Sequence, residues 1–275
     1  ARTKTAGYCW KNLGPHFGRM AVEAIDQDAV DDYVALREAG RIGRPSSPAT
    51  CRRELAAMIA ALNEGAKGGR RALYPAAILN PIDLPPSAPP RERWLTMAEV
   101  QMLFDAAREM RPGNTLSRGE RFLWLALETA ARKGAILDLT WDRVDFDAGV
   151  VRYDVPGRAQ TKKRRADVPI SDTLRGVLER ARDERENDLV MGNTCDPYAT
   201  VKRIAKRAGI KGVSPHVLRH TAATHMARNG VPLWTVAQVL GNSLQMVERV
   251  YAKWAPSEPE RNVNLISMGT LEVAE

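Results

Sequence analysis

Between Ser214 and Tyr251 the chain carries three of its four histidines, an arginine one helical turn after the first of them, and a tyrosine late in a polar stretch. Ser214 followed by Pro215 predicts a helix start, because serine caps the free N–H groups and proline at the first helical position loses no useful donor. His216 and Arg219, three residues apart, then share a face of the first turn. That end of a helix already favours anions, since its unpaired N–H groups point outward. A guanidinium and an imidazole added there make a phosphate site. His216 and His220, four apart, also have the spacing of a metal pair. No HExxH glutamate and no cysteine cluster accompanies them, so no metal site is expected.

The elements that must position these residues follow from pattern. A second helix is predicted from Pro232 to Gly241, with Leu233, Val236, Ala237 and Leu240 as its apolar stripe, and Ser243 is placed to cap a third that carries Tyr251. Upstream, residues 121–139 read as helix, with Phe122, Leu125, Ala126, Ile136 and Leu139 on one side and a break expected near Gly134. Residues 144–155 alternate around a turn at Asp147-Ala148-Gly149, a hairpin signal. A turn at Pro156-Gly157 leads through a basic run to a strand at Ala166–Ile170. A small three-stranded antiparallel sheet is the simplest assembly. Ser171 caps a further helix with Leu174, Val177, Leu178 and Ala181 on one face. Lys202, Arg203, Lys206 and Arg207 crowd another.

The first third is less patterned. Short helical pieces are expected at Val22–Ile25 and Val30–Leu36, with Asp28 or Asp31 near a start. Leu55, Met58, Ile59 and Leu62 fall at i, i+3, i+4 and i+7 and predict a helix over Ala49–Glu64. Arg52 and Arg53 lie on or beside its polar face. Residues 81–91 contain five prolines and read as an extended linker. A new domain opens at Thr96, where Thr96 and Glu99 form a capping box and Leu95 and Val100 a hydrophobic staple.

Composition sets the class. At 275 residues the chain is long enough for two modest domains. Its 44% apolar and 27% charged content is that of a folded protein. A net charge of +8 makes a polyanion the natural partner. Cys9, Cys51 and Cys195 are odd in number and scattered, which argues for a reducing compartment and against a disulfide frame. With no apolar run of membrane-spanning length and no visible signal peptide, a cytoplasmic protein without membrane contact is expected. The chain begins at Ala1 rather than Met, which leaves open whether further residues precede it.

The order His216-Val217-Leu218-Arg219-His220-Thr221-Ala222-Ala223-Thr224, then Leu240-Gly241, then Tyr251 nine residues after Asn242, resembles the signature of the tyrosine recombinases (phage-integrase family). The resemblance implies a mainly α protein with a small antiparallel sheet (α+β), built as a two-domain DNA clamp. Residues 1–84 would be the helical core-binding domain, 85–93 the linker, 94–260 the catalytic domain and 261–275 the tail. It implies cleavage and rejoining of DNA through a 3′-phosphotyrosyl link, with Tyr251 as nucleophile and Arg132 and Arg219 on the phosphate. His216 would bond a phosphate oxygen or manage the tyrosine proton, whereas His220 reads as structural and His225 as a helix-surface or core residue. The pattern Thr161-Lys162-Lys163-Arg164-Arg165 before Val168-Pro169 supplies the general acid, with Lys162 the first choice and Lys163 the second. The remaining basic residues, Lys163, Arg164, Arg165, Arg52, Arg53, Lys202 and Lys206, would contact DNA.

Two positions depart from the family pattern. Ala135 stands where it has an acid, and Asn242 where it has histidine or tryptophan. Asn242 would donate a hydrogen bond to a phosphate oxygen, without positive charge. Because the covalent link conserves bond energy, no metal or nucleotide cofactor is implied. A specific recombination site on double-stranded DNA, a tetramer on DNA through exchange of the tail, and accessory DNA-bending proteins are the implied partners. The alternatives are a DNA-binding protein of the same fold with weakened cleavage, a type IB topoisomerase, and a helix-turn-helix regulator. The last leaves Arg132, the basic hairpin and the Tyr251 spacing unexplained.

Overall fold

A computed structural model describes residues 2–67, 72–87, 92–111, 113–157 and 164–256, with only the backbone described for 2–5. The chain divides into two compact units, Ala1–Pro90 and Arg91–Glu275.

The first unit packs α1 (Arg2–Phe17), α2 (Gln27–Glu38) and α3 (Pro48–Gly65). α3 forms as its pattern predicts. α1 does not follow from pattern: Gly7, Gly14 and Pro15 disfavour a helix, yet Cys9, Leu13 and Phe17, at intervals of four, are buried with Leu55 and Met58 of α3. α2 starts earlier than expected, capped by Asp26, whose carboxylate accepts from Ala29 N. At the centre sits the Glu54 carboxylate. It accepts from Asn12 Nδ2 of α1 at 2.6 Å, Tyr33 OH of α2 at 2.7 Å, and Arg37 Nε and Nη2 of α2, both at 3.0 Å. One side chain thus ties all three helices together.

The second unit is mainly helical around a small sheet, as expected. α4 (Met97–Glu109) carries the predicted capping box of Thr96 and Glu99. α5 (Arg118–Glu128) packs on the helix over Pro215–Arg228. The expected break falls before Arg132 rather than at Gly134: Ala130 takes a left-handed φ of +49°, and Gly134 lies inside the short α6 (Lys133–Leu137). The strands β1 (Val144–Asp145), β2 (Val150–Arg152) and β3 (Asp167–Pro169) pair antiparallel in the order β1-β2-β3. Val151 faces Val144 on one side and Val168 on the other. α7 (Asp172–Asp183) and α8 (Tyr198–Arg207) follow, then α9 (Pro215–Arg228), α10 (Leu233–Leu240) and α11 (Leu244–Tyr251). One apolar core joins α4, α5, the sheet, α7, α8 and the start of α9; a second joins the rest of α9 to α10 and α11. Among the described residues no helix is long and apolar enough to cross a membrane.

The Glu54 network makes a stability prediction. Burial raises the Glu54 carboxyl, but the bonds from Arg37, Tyr33 and Asn12 outweigh it and hold it below the usual glutamate range. A lowered folded-state value means the contribution is full above the ordinary glutamate value and is lost as pH falls through the folded one. Glu54→Ala strands the Arg37 guanidinium and is expected to cost ~3–5 kcal/mol. Melting of the wild type between pH 6 and pH 3 should lose a component that Glu54→Gln lacks; parallel curves would show that the carboxylate charge contributes nothing.

Candidate active site

The site is organised by Arg219. Ser214 caps α9 by accepting from Val217 N at 3.3 Å, and one turn in Arg219 is only 7% exposed. Its Nη1 donates to Ala130 O at 2.5 Å and its Nη2 to Leu240 O at 2.7 Å. Both carbonyls are available because the chain bends at them. At the first, Thr129 donates to Leu125 O, accepts from Ala131 N and bonds the buried Tyr153 hydroxyl, and Ala130 turns left-handed beside it. At the second, α10 ends on left-handed Gly241, leaving a last-turn carbonyl without a helical partner. Burial, then the neighbouring Arg132 charge, pushes the Arg219 guanidinium down to about 10. It remains a cation at neutral pH.

Arg132 occupies the N-cap position of α6. Its Nη1 donates to Arg164 O at 2.6 Å, and its Nη2 to Asn242 Oδ1 at 2.5 Å and Gly241 O at 3.3 Å. Arg219 Nη2 reaches the same Asn242 oxygen at 3.4 Å. Two guanidiniums therefore meet at one neutral oxygen. Two cationic donors fix which end of the amide faces them, so Asn242 turns its acceptor toward the arginines and its Nδ2 away. Gly241 is required here. A Cβ on it would stand 2.6 Å from Arg164 O, the oxygen that Arg132 uses.

These side chains open on a cavity of about 840 Å³, whose lining includes Arg132, Lys133, Arg164, His216, Arg219 and Asn242. His216 is exposed there. Lys133, which the sequence reading passed over, pairs with Asp196 at 2.6 Å. Ala135 also lines the cavity, in the position where the family pattern has an acid.

Tyr251 is buried, and its hydroxyl lies 3.0 Å from His220 Nδ1. His220, read from the sequence as structural, is the imidazole that meets the phenol in this structure. No local pattern distinguishes the two imidazoles, because the choice depends on how α11 packs against α9. Burial raises the Tyr251 phenol and the Arg219 charge pulls it down, for a net rise. Burial, then the charges of His216 and Lys253, lowers His220, so the imidazole is neutral near pH 7. Tyr251 itself does not line the cavity. The end of its helix is held by Trp254 against Trp94, with ring centroids 5.5 Å apart, and by Lys253 paired with Glu92. His225, from α9, bonds Leu95 O at 2.8 Å beside them.

The other basic candidates separate. Lys162 and Lys163 lie outside the described residues. Arg164 is exposed at the cavity, while Arg165 is paired with Asp138 at 2.6 Å. Lys202 and Lys206 are exposed on α8 and do not line the cavity. In the first unit Arg52 donates to Leu84 O and Pro85 O, at 3.2 and 2.5 Å, and Arg53 is exposed.

Residues 93–258 match the phage integrase family. Over 186 residues the chain is 31% identical to tyrosine recombinase XerA of Thermococcus kodakarensis, an overlap of 64% of this chain and 62% of that protein. It is 27% identical to tyrosine recombinase XerD of Pseudomonas aeruginosa, over 84% of this chain and 78% of that one. Its fold is similar to the XerH site-specific recombinase bound to palindromic difH substrate, with a TM-score of 0.71 at 16% identity, covering 95% of this chain and 79% of that one. It is also similar to the Tn1549 transposon integrase in complex with transposon right end DNA, with a TM-score of 0.68 at 14% identity, covering 96% and 92%. At such identities the structures establish the fold alone. The family match begins just before the Thr96 cap of α4 and ends beyond Tyr251, taking in every element that builds the cavity: this chain belongs to the phage integrase family.

Proposed function

We propose that the protein is a site-specific DNA recombinase that cleaves and rejoins strands through a 3′-phosphotyrosyl intermediate, in the integration or excision of a phage or other mobile element. The observation that carries this reading is the pair of guanidiniums meeting at Asn242 Oδ1 beside His216. In phosphodiester cleavage, charge builds on the non-bridging oxygens, and two planar forks converging on one spot match it. Tyr251 attacks phosphorus, and the 5′ oxygen departs with a proton from Lys162, or from Lys163 as second choice. A 5′-hydroxyl of the partner strand then reverses the step, so the reaction needs no external energy source.

The surroundings fit the same reading. Exposed Arg164, Lys202 and Lys206 would contact phosphates beside the cut, and the first unit, with Arg53, would grip another face of the duplex. DNA-bound recombinase and integrase structures of the same fold support DNA as the partner. Strand exchange between two duplexes needs four active sites, which we assign to a tetramer on DNA joined through residues 261–275, with DNA-bending proteins as accessories, in the cytoplasm. Ala135 and Asn242 favour one second reading, a protein of this fold with weakened cleavage.

A nicked substrate that loses its 5′ fragment should accumulate covalent protein–DNA adduct. Tyr251→Phe is expected to bind the same DNA and give none. Binding without adduct in the wild type would establish the weakened reading, and relaxation of supercoiled DNA without site preference would point to a topoisomerase.

Asn242 gives a second prediction. Asn242→Asp places a carboxylate between the two guanidiniums, which should raise the melting temperature by about 2–4 °C and slow single-turnover cleavage by about a hundredfold, equal to ~2.7 kcal/mol, because the arginines are then neutralised before phosphate arrives. Wild-type cleavage in a stabilised Asn242→Asp protein would remove the arginine pair from the phosphate.

A further inference from the structure

Two imidazoles sit four residues apart on α9 and meet different surroundings. His216 is exposed at the cavity, among the arginines. His220 is 8% exposed and holds the Tyr251 hydroxyl at 3.0 Å, the rings lying 5.1 Å apart at 40°. A phenol hydroxyl has one hydrogen to give. In the tautomer with the ring proton on Nε2, the bare Nδ1 accepts that hydrogen. The charged groups facing this pair come from each element around it: Arg219 and His216 on α9, Lys253 after α11, and Glu92 before α4. Arg219 favours the phenolate, while Lys253 is itself paired with Glu92.

We propose that His220 is the general base that takes the Tyr251 proton, leaving His216 to bond the phosphate. This rests on the recombinase reading above. The O–H proton passes to His220 Nδ1 as the phenolic oxygen turns from that bond into the cavity and forms its bond to phosphorus, and the ring becomes an imidazolium. The bond from phosphorus to the 5′ oxygen breaks, and that oxygen takes a proton from the hairpin lysine. In the reverse step the imidazolium returns its proton to the phenolic oxygen. Nothing is oxidised or reduced and no co-reactant is needed. In that tautomer the neutral ring leaves Nδ1 unprotonated, within hydrogen-bond reach of the proton it must take.

The test uses the full chain and a nicked DNA substrate, with adduct formation measured in single turnover from pH 6 to pH 10. His220→Asn keeps a short acceptor toward the hydroxyl but cannot carry the proton away. It is expected to melt and bind DNA like the wild type and to form adduct about a hundredfold more slowly at pH 7. The deficit should shrink as rising pH ionises the phenol, and added imidazole should restore part of the rate to the smaller His220→Ala. His216→Asn should slow the reaction without recovery at high pH. A wild-type rate in His220→Asn, or a slow rate indifferent to both pH and imidazole, would overturn the assignment. A rate above wild type would show that the bond restrains the tyrosine, and recovery confined to the His216 variant would move the proton there. Tyr251→Phe run in parallel separates the two claims, since adduct in that variant, or none in the wild type, overturns the recombinase reading and this one with it.

Discussion

The second unit depends on a guanidinium buried against neutral oxygens. The partners described for Arg219 are the carbonyls of Ala130 and Leu240 and the amide oxygen of Asn242. Burying a charge is costly unless it is paired, and peptide dipoles offset only part of that cost. The Arg132 guanidinium adds repulsion at the same oxygen. On the proposed reading an incoming phosphate relieves both penalties, and the site is arranged before its ligand arrives. Much of the local chain geometry serves this purpose. A non-glycine residue in the left-handed region costs about 1–3 kcal/mol, and Ala130 adopts that region where its carbonyl meets Arg219. Gly241 does so where a Cβ would strike the Arg164 carbonyl.

The first unit handles a buried charge in the opposite way. Glu54 receives donors from Asn12, Tyr33 and Arg37, with opposite charges directly matched. That network is closed on itself and holds helices together. The arginine pair is held by dipoles and opens on a cavity. The contrast separates a buried charge closed on its partners from one that opens on a cavity.

Much of this was legible in the sequence where a local rule decides the outcome. The Thr96–Glu99 box, the Ser214-Pro215 start, the Gly241 stop and the three-stranded sheet follow from capping, turn and alternation chemistry, and all form. Family resemblance drew attention to Arg132, Arg219 and Asn242 across more than a hundred residues, and their side chains meet. What pattern missed is decided by packing. α1 forms despite Gly7, Gly14 and Pro15 because its apolar residues are covered by α3. The break before α6 occurs at Ala130, not at the flexible-looking Gly134, because Tyr153 and Arg219 reach Thr129 and Ala130 from elsewhere in the fold. His220 meets Tyr251, Lys133 meets Asp196, and Arg165 and Arg52 find internal partners, through contacts that no spacing encodes.

The central claim is that the two arginines act on the charge of one phosphate. Its direct measurement is single-turnover cleavage of DNA carrying a neutral methylphosphonate at the scissile position, compared with the ordinary phosphate. With one non-bridging charge removed, Arg132→Ala and Arg219→Ala should each lose at least about tenfold less rate on methylphosphonate than on phosphate. Equal losses on both substrates would contradict the account, because they would show that the guanidiniums hold the protein's shape and do not neutralise the phosphate.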